Sequence, residues 1–277
     1  MSAKVKSRVF IYLVCAGIAI LVLGPILVTL FASVKDRGGM IKFSTLLPPP
    51  PSAWTWDNYL KVFKDKLLPV AFKNSISIIA VSIVFNILFG SVTAYCLERF
   101  EFKGRKLILA LFYMGMLVPT FVAEIARFKL IQSLHLYNTL GAPIVIYIAS
   151  DLMQLFIYRQ FISKLPSALD ESALVDGASY FRIFGQIIFP LLAPATATLI
   201  IVKAVNIIND MYIPYLYMPK NSLKTLTTFL MNYANAQQGN WNNLAAAIVI
   251  VMVPTVVIYI FFQEYIFDGI SAGAVKE

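Results

Sequence analysis

The sequence predicts an all-α membrane protein with six transmembrane helices. Hydrophobic residues make up 59% of the 277 residues, and the mean hydropathy of +0.77 is too high for an ordinary soluble domain. A helix needs about 20 apolar residues to cross the hydrocarbon core of a bilayer, and six stretches meet this requirement. They are Val9–Ser33, Val70–Leu97, Leu107–Ala126, Thr139–Ile162, Leu191–Met211 and Leu244–Ile266. We expect residues 1–277 to form a single transmembrane domain.

The first stretch follows three basic residues, Lys4, Lys6 and Arg8, and therefore has the flank of a signal peptide. Its apolar run from Val9 to Ser33 is longer than the roughly 7–15 residues of a signal-peptide core. We therefore expect a retained membrane anchor.

The net charge of +9 does not indicate a nucleic-acid-binding protein. The basic residues lie singly between apolar stretches, without the basic face or the aromatic platform that nucleic acids require. Such charges are typical of the flanks of membrane helices. The two cysteines, Cys15 and Cys96, lie inside predicted spans, so the sequence offers neither a disulfide framework nor metal-ligand spacing.

The fourth and fifth spans are separated by a loop of small and polar residues, in which residues 170–194 read DESALVDGASYFRIFGQIIFPLLAP. Ser167 and Asp170 have the spacing of a capping box, which predicts a short helix from Ala168 to Asp176. Gly177 should end this helix, because glycine adopts positive φ without a steric penalty.

A second short helix should follow, capped by Ser179 and closed by Pro190. The two helices together occupy approximately residues 167–189. The apolar residues of the second helix recur at i, i+3, i+4, i+7 and i+8, the spacing of one buried face. They are Tyr180, Ile183, Phe184, Ile187 and Ile188. Spacing alone is equally compatible with an amphipathic hairpin on the membrane surface.

The order of residues in this loop resembles the EAA loop of binding-protein-dependent ABC importer permeases, and specifically the smaller permease subunit of the carbohydrate, maltose-type class. The resemblance implies a type I ABC importer permease fold, with the loop forming a pair of cytoplasmic coupling helices in a cleft of the ATPase. One departure is Ser172, where the family usually has a second alanine. The matching positions, which the resemblance assigns to ATPase coupling, are Glu171, Ser172, Ala173, Asp176, Gly177, Ala178, Phe184 and Pro190.

The resemblance also implies the partners of the chain. These are a second homologous permease subunit, two cytoplasmic ABC ATPase subunits, an extracellular solute-binding protein, membrane lipid and a sugar, but no nucleic acid. The chain has no GxxxxGK[ST] phosphate loop, so we expect a non-catalytic subunit without catalytic residues, metal or cofactor, with ATP and magnesium bound by the ATPase subunits. A non-sugar solute remains an alternative.

We expect the chain in the bacterial cytoplasmic membrane with both termini in the cytoplasm. Lysine and arginine are divided about evenly between the two sides, although the short loop Glu98–Lys106 holds the densest cluster. The orientation therefore follows from the resemblance, which requires the coupling loop to face the ATPase.

Two charged residues lie deep in the predicted spans, Asp151 in the fourth and Lys203 in the fifth. A charge at the centre of a bilayer costs roughly 2.5–3.5 kcal/mol on insertion scales. Counted along the helices, the two residues lie at about the same depth, so we predict that they form an ion pair.

The fifth span also carries a polar stripe, because Lys203, Asn206 and Asp210 recur at i, i+3 and i+7 with Asn209 beside them. In a membrane such a stripe faces a water-filled cavity or a neighbouring helix. We predict a substrate pathway at Asn206, Asn209 and Asp210; hydrogen bonding between helices is the alternative. Asn209, Asp210 and Pro214 also resemble an Asn-Asp…Pro segment of the family.

The resemblance also implies roles for two further segments. Gly269, Ala272, Gly273 and Lys276 are similar to the carboxyl end of maltose-type permeases, which implies a tail at the ATPase interface. The last outer loop is rich in amides, and the equivalent loop of the family reaches toward the binding protein. Its amide residues are Asn221, Asn232, Asn235, Gln237, Gln238 and Asn242.

Other classes of function fit less well. An intramembrane serine protease needs a histidine at bilayer depth, but the single histidine, His135, falls in a predicted outer loop. Asp176, Gly177 and Arg182 suggest a lipid phosphotransferase, but the further aspartates of its metal site are missing from the next helix. A stand-alone secondary transporter would have six spans but no need of the glycine-turned loop.

Overall fold

The computed structural model describes residues 3–36, 38, 47–149, 151–234 and 241–274, with the side chains of residues 3–8, 120 and 264–274 excepted. These residues form helices and connecting turns without a β-strand. In chain order the α-helices are α1 (Ala3–Ser33), α2 (Asp57–Phe63), α3 (Leu67–Arg99), α4 (Arg105–Leu117), α5 (Thr120–Ser133), α6 (Gly141–Ile148), α7 (Leu152–Ser163), α8 (Ala168–Val175), α9 (Tyr180–Leu191), α10 (Ala193–Asn209), α11 (Tyr212–Tyr217), α12 (Leu226–Leu230) and α13 (Trp241–Ala274).

The chain divides into two compact units. The first contains Met1–Pro69 and Thr228–Val253, and the second contains Val70–Thr227 and Pro254–Glu277. The loop predicted to couple to an ATPase and the polar residues of the fourth and fifth spans all belong to the second unit.

Buried amides organise the first unit. The Asn58 side chain donates to the carbonyl oxygens of Ser33 and Lys35, each at 2.8 Å, and accepts a 2.7 Å bond from the Asn242 amide. Because Asn58 belongs to α2 and Asn242 to α13, these bonds hold the end of α1 and the start of α13 against one short helix. Most of α1 has no such neighbour: its apolar side chains from Val9 to Leu23 are exposed, as expected of a helix that contacts lipid.

The core of the second unit is formed by apolar side chains of α3, α7, α9 and α10. Tyr158, Ile183, Ile188 and Leu199 are almost completely buried in it. The buried residues of α9, Ile183 and Ile188, lie five positions apart because Phe184–Ile188 forms a π-helical turn. The apolar spacing in the sequence predicts the buried face of this helix but not its π-helical turn. Tyr180, which was predicted to lie on the buried face, is about half exposed.

Three helices are individually long and apolar enough to cross a membrane: α1, α3 and α13. Three pairs of helices meet the same criterion together, each with a bend of more than 40° between its members. If each bent pair is one span, the structure has up to six spans among the described residues, the number predicted from sequence.

The third predicted span, Leu107–Ala126, is not one helix. Helix α4 ends at Leu117, Val118 is extended, and α5 begins after Pro119. Proline lacks a backbone N–H and disfavours helical geometry in the residue before it, so the chain turns here. The fourth predicted span, Thr139–Ile162, is likewise divided into α6 and α7.

The helix in the fifth predicted span, Leu191–Met211, begins later and ends earlier than expected. Helix α9 continues through Pro190 to Leu191, so Pro190 does not close it. The chain then bends by 75°, and α10 begins at Ala193 with Pro194 in its first turn. At the other end Asp210 is extended and terminates the helix.

Candidate functional site

The loop between α7 and α10 reverses at Gly177, as predicted. Gly177 has a φ of 77°, and its N–H donates to Leu174 O while the N–H of Ala178 donates to Ala173 O, at 3.0 and 2.9 Å. These two bonds form a Schellman motif, which satisfies the last carbonyls of α8. The Ser179 hydroxyl then accepts from the N–H of Arg182 and caps α9, also as predicted.

The predicted capping box at the start of α8 is wrong. Ser167 has helical backbone angles, and its side chain makes no capping hydrogen bond. The carboxylate of Asp170 instead turns toward α3, where Tyr95 Oη donates to its Oδ1 at 2.6 Å and Arg99 Nε lies 3.2 Å from its Oδ2. Arg99 also donates to Leu165 O at 2.8 Å, so two residues of α3 hold the beginning of the loop.

The residues predicted to couple to an ATPase separate into two groups. Ala173, Ala178 and Phe184 pack toward the core, and the Phe184 ring lies 5.4 Å from that of Tyr95. The remaining predicted residues are exposed at the surface of the loop. They are Glu171, Ser172, Asp176, Gly177 and Pro190.

Two large apolar side chains of this loop are almost fully exposed. Val175 is 88% exposed and Phe181 is 90% exposed. Because they lie on either side of the reversal at Gly177, the loop presents an apolar surface next to the carboxylates of Glu171 and Asp176. We call Glu171, Val175, Asp176 and Phe181 the loop surface.

The structure brings Asp151 and Lys203 together, with Lys203 Nζ against Asp151 Oδ2. Asp151 does not lie within a continuous helix: it caps α7 by accepting from the N–H of Gln154 at 2.8 Å. Its side chain is 52% exposed and that of Lys203 14% exposed, so only the lysine is substantially removed from solvent.

A cavity of about 360 Å³, lined by both polar and apolar side chains, opens beside this ion pair. Its wall includes Asn206 and Asp210 but not Asn209, which is exposed elsewhere on α10. Asp210 accepts from Tyr147 Oη at 2.8 Å and from the N–H of Ile213 at 3.2 Å, so it also bonds to the first turn of α11. The described residues that line it are Ile146, Tyr147, Ala149, Asp151, Lys203, Asn206, Ile207 and Asp210.

Asp151 also lines a second cavity of about 540 Å³, together with Arg127 of α5. Glu124 and Arg127, three positions apart on α5, form a local ion pair at 3.0 Å. Glu124 additionally accepts from Tyr217 Oη at 2.6 Å. Burial, followed by this bond to Glu124, raises the pKa of Tyr217, so the phenol remains a donor at physiological pH.

The sequence from residue 86 to residue 271 matches the family model described as "Binding-protein-dependent transport system inner membrane component". The chain belongs to this family. It is 31% identical over 262 residues to the arabinooligosaccharides transport system permease protein AraQ of Halalkalibacterium halodurans, covering 94% of each chain. It is 33% identical over 286 aligned residues to the galactooligosaccharides transport system permease protein GanQ of Bacillus subtilis, covering 100% of each.

The fold of this ABC transporter permease also has a counterpart among solved structures. A chain of a bacterial ABC transporter involved in the import of the acidic polysaccharide alginate superposes with a TM-score of 0.82 at 21% identity, over 96% of the permease and 98% of that chain. The predicted resemblance and the predicted type I importer fold are therefore confirmed.

Parts of the predicted permease site lie beyond what the structure describes. Gly269, Ala272 and Gly273 belong to the last turns of α13, whereas Lys276 lies outside the described residues. Asn235, Gln237 and Gln238 of the outer loop also lie outside them. Asn242 is buried against Asn58 and is not available to a binding protein. The described residues of the permease contain no group of three or more metal-ligating side chains.

Sequence reasoning missed three features of the permease site. Asp170 was interpreted as a capping residue, Val175 and Phe181 were not singled out, and Tyr147 was counted only as part of an apolar span. The exposure of Val175 and Phe181 could have been predicted from sequence, because both apolar residues fall outside the predicted buried face.

Proposed function

We propose that this permease is the non-catalytic subunit of an ATP-driven importer for an oligosaccharide. It pairs with a second, homologous permease subunit, two cytoplasmic ATPase subunits and an extracellular solute-binding protein, and both of its termini lie in the cytoplasm. ATP and magnesium bind to the ATPase subunits.

The observation that carries this proposal is the way the loop is built. Its outer side exposes Val175 and Phe181 beside Glu171 and Asp176, which suits a socket in another protein better than contact with water. Its inner side is tied to α3 through Asp170. A movement of the docked ATPase would therefore pull directly on a helix that is long enough to span the membrane.

The cavity beside the ion pair supports a carbohydrate as the solute. Its wall presents two carboxylates, an amide, an ammonium and a phenol within about 360 Å³, and hydroxyl-rich molecules need both donors and acceptors at close spacing. The names of the similar permeases, which refer to arabinooligosaccharides and galactooligosaccharides, point to the same class of solute. We propose Asn206 and Asp210 as the parts of the solute pathway supplied by α10.

Uptake by the assembled importer in sealed vesicles tests this function. We expect ¹⁴C-labelled raffinose or an arabinooligosaccharide to accumulate only with ATP, the ATPase subunits and the binding protein present. Accumulation without ATP would favour a stand-alone transporter, whereas ATP-dependent uptake of peptides or amino acids but of no saccharide would favour a non-sugar importer. Omission of each subunit in turn provides the controls.

A further inference from the structure

The break between α6 and α7 separates two residues of the cavity wall. Tyr147 lies at the end of α6, and Asp151 caps the start of α7. If the two helices continued as one, these side chains would have different positions relative to Lys203 and Asp210. The geometry of the break therefore decides the shape of this wall.

A buried amide from another helix holds the end of α6. Asn86 of α3 is 1% exposed, and its Nδ2 donates to the carbonyl oxygens of Tyr147, Ile148 and Ala149 at 3.0, 3.3 and 3.0 Å. The last carbonyls of a helix lack partners within that helix, and in an apolar environment they need another donor. The two N–H groups of the Asn86 amide are shared among these three oxygens.

The beginning of α7 is held to the same point. Gln154 is completely buried, and its Nε2 donates to the backbone oxygen of Asn86 at 2.9 Å. Gly90, one turn further along α3, leaves the space for this side chain, because a Cβ at position 90 would overlap the Gln154 amide group. The two sides of the break are thus fixed on one turn of α3.

This arrangement is not the one that would give the greatest stability. Asn86 Oδ1 and Gln154 Oε1 are both buried, and neither has a hydrogen-bond donor among the described residues. Apolar residues of similar size would avoid the cost of burying these oxygens. A polar network that is only partly satisfied is better explained by a specific geometry than by packing.

We propose that Asn86, Gln154 and Gly90 are positioning residues for transport: they form a brace that holds the α6–α7 break and thereby fixes Tyr147 and Asp151 in the cavity wall. The brace rests on the proposed function, in which this cavity lies on the solute pathway. It acts without touching the solute, through the carbonyls at the end of α6 and the first turn of α7.

The reaction rate of a cysteine in the cavity wall tests the brace. The reporter is Ala149→Cys, in a chain with Cys15→Ser and Cys96→Ser, assembled with its partner subunits in membrane vesicles. The probe is a membrane-impermeant cationic methanethiosulfonate reagent. Lys220→Cys, at an exposed position outside the cavity, is the control reporter.

We expect Gly90→Ala and Asn86→Leu each to change the labelling rate at position 149 by about fivefold or more, with no change at position 220. Adding Gln154→Ala to Gly90→Ala removes the overlap, so the double variant should label at the rate of Gln154→Ala alone. If Gly90→Ala does not reach the membrane, Asn86→Leu and Gln154→Ala decide the question.

An unchanged rate at position 149 in Asn86→Leu, or equal changes at positions 149 and 220, would overturn the brace. So would a double variant that still behaves like Gly90→Ala. The cysteine at position 149 could also fail to react in every chain, with the brace residues intact or substituted and with or without ATP. That result would show that the cavity is not on the solute pathway, and the proposed role of the brace would fall with it.

Discussion

The hydroxyl of Tyr95 donates a 2.6 Å hydrogen bond to the carboxylate of Asp170, and both side chains are buried. Tyr95 lies near the end of α3, and Asp170 lies in the first helix of the loop that we propose to dock on the ATPase. With Arg99 on the other carboxylate oxygen, this contact joins the loop to a helix long enough to cross the membrane. A movement of the loop would reach α3 through this contact.

We therefore expect Tyr95→Phe and Asp170→Asn to uncouple the importer. Loss of a hydrogen bond to a charged group costs about 1.5–3 kcal/mol, while the aromatic packing of residue 95 is retained in the phenylalanine variant. ATP hydrolysis in reconstituted importer should continue, but uptake per ATP should fall by about tenfold. Tyr158→Phe is the matched control, because Tyr158 is also buried but donates or accepts only with Thr196. Equal losses in Tyr95→Phe and Tyr158→Phe would argue against a coupling role for Asp170.

The second prediction concerns the chain reversal at Gly177 and its effect on loop stability and uptake. A residue with a side chain at a φ of 77° is strained, so Gly177→Ala should destabilise the loop by about 1 kcal/mol or more. Uptake should fall because Val175 and Phe181 lose their relative positions. Gly185→Ala is the control: Gly185 lies in the same loop, in a helical turn with open space around its Cα. Transport assays of both variants at matched membrane levels check this prediction, and a stronger defect in Gly185→Ala would contradict it.

The third prediction concerns the exposed apolar residues of the loop surface and the binding of the ATPase subunits. Val175→Asp and Phe181→Asp should weaken binding of the ATPase subunits, because each places a charge where the partner would bury an apolar side chain. A loss of about 1.5–3 kcal/mol per residue corresponds to at least tenfold weaker co-purification in detergent. Phe102→Asp, in the other loop predicted on the same membrane face, is the control, since Phe102 is 42% exposed. The loop surface is not a docking site if all three variants retain the ATPase equally.

Much of the loop could be predicted from sequence because its determinants are local. Gly177 and Ser179 act on residues within a few positions, so their turn and cap follow from residue type. The role of Asp170 could not be predicted in this way. Its spacing from Ser167 fits a capping box, but Tyr95 and Arg99 compete for the same carboxylate from a different helix.

The breaks in the spans show the same limit. Pro119 gives a local signal for the end of α4, although hydropathy alone joins the two sides into one span. The α6–α7 break has a local signal in the N-cap residue Asp151, but Asn86 and Gln154, which hold the break, are ordinary amides in sequence. Only the packing of α3 against the break shows what they contact.

Substituting the two members of the Asp151–Lys203 ion pair should impair transport to different degrees. Lys203→Ala should be the milder change, because the Asp151 carboxylate is 52% exposed and can be hydrated. Asp151→Asn should impair transport more, because it leaves the charge of Lys203, which is 14% exposed, without this partner; asparagine still caps α7, so the helix itself is preserved.

The charge-swapped variant with Asp151→Lys and Lys203→Asp should recover part of the loss, with a coupling of about 1 kcal/mol between the two sites. Initial uptake rates of the wild type, the single variants Asp151→Lys and Lys203→Asp, and the swap, each at equal assembly, give this coupling. Additive effects of the two changes would show that the pair is a consequence of the packing of α7 and α10 and has no part in transport.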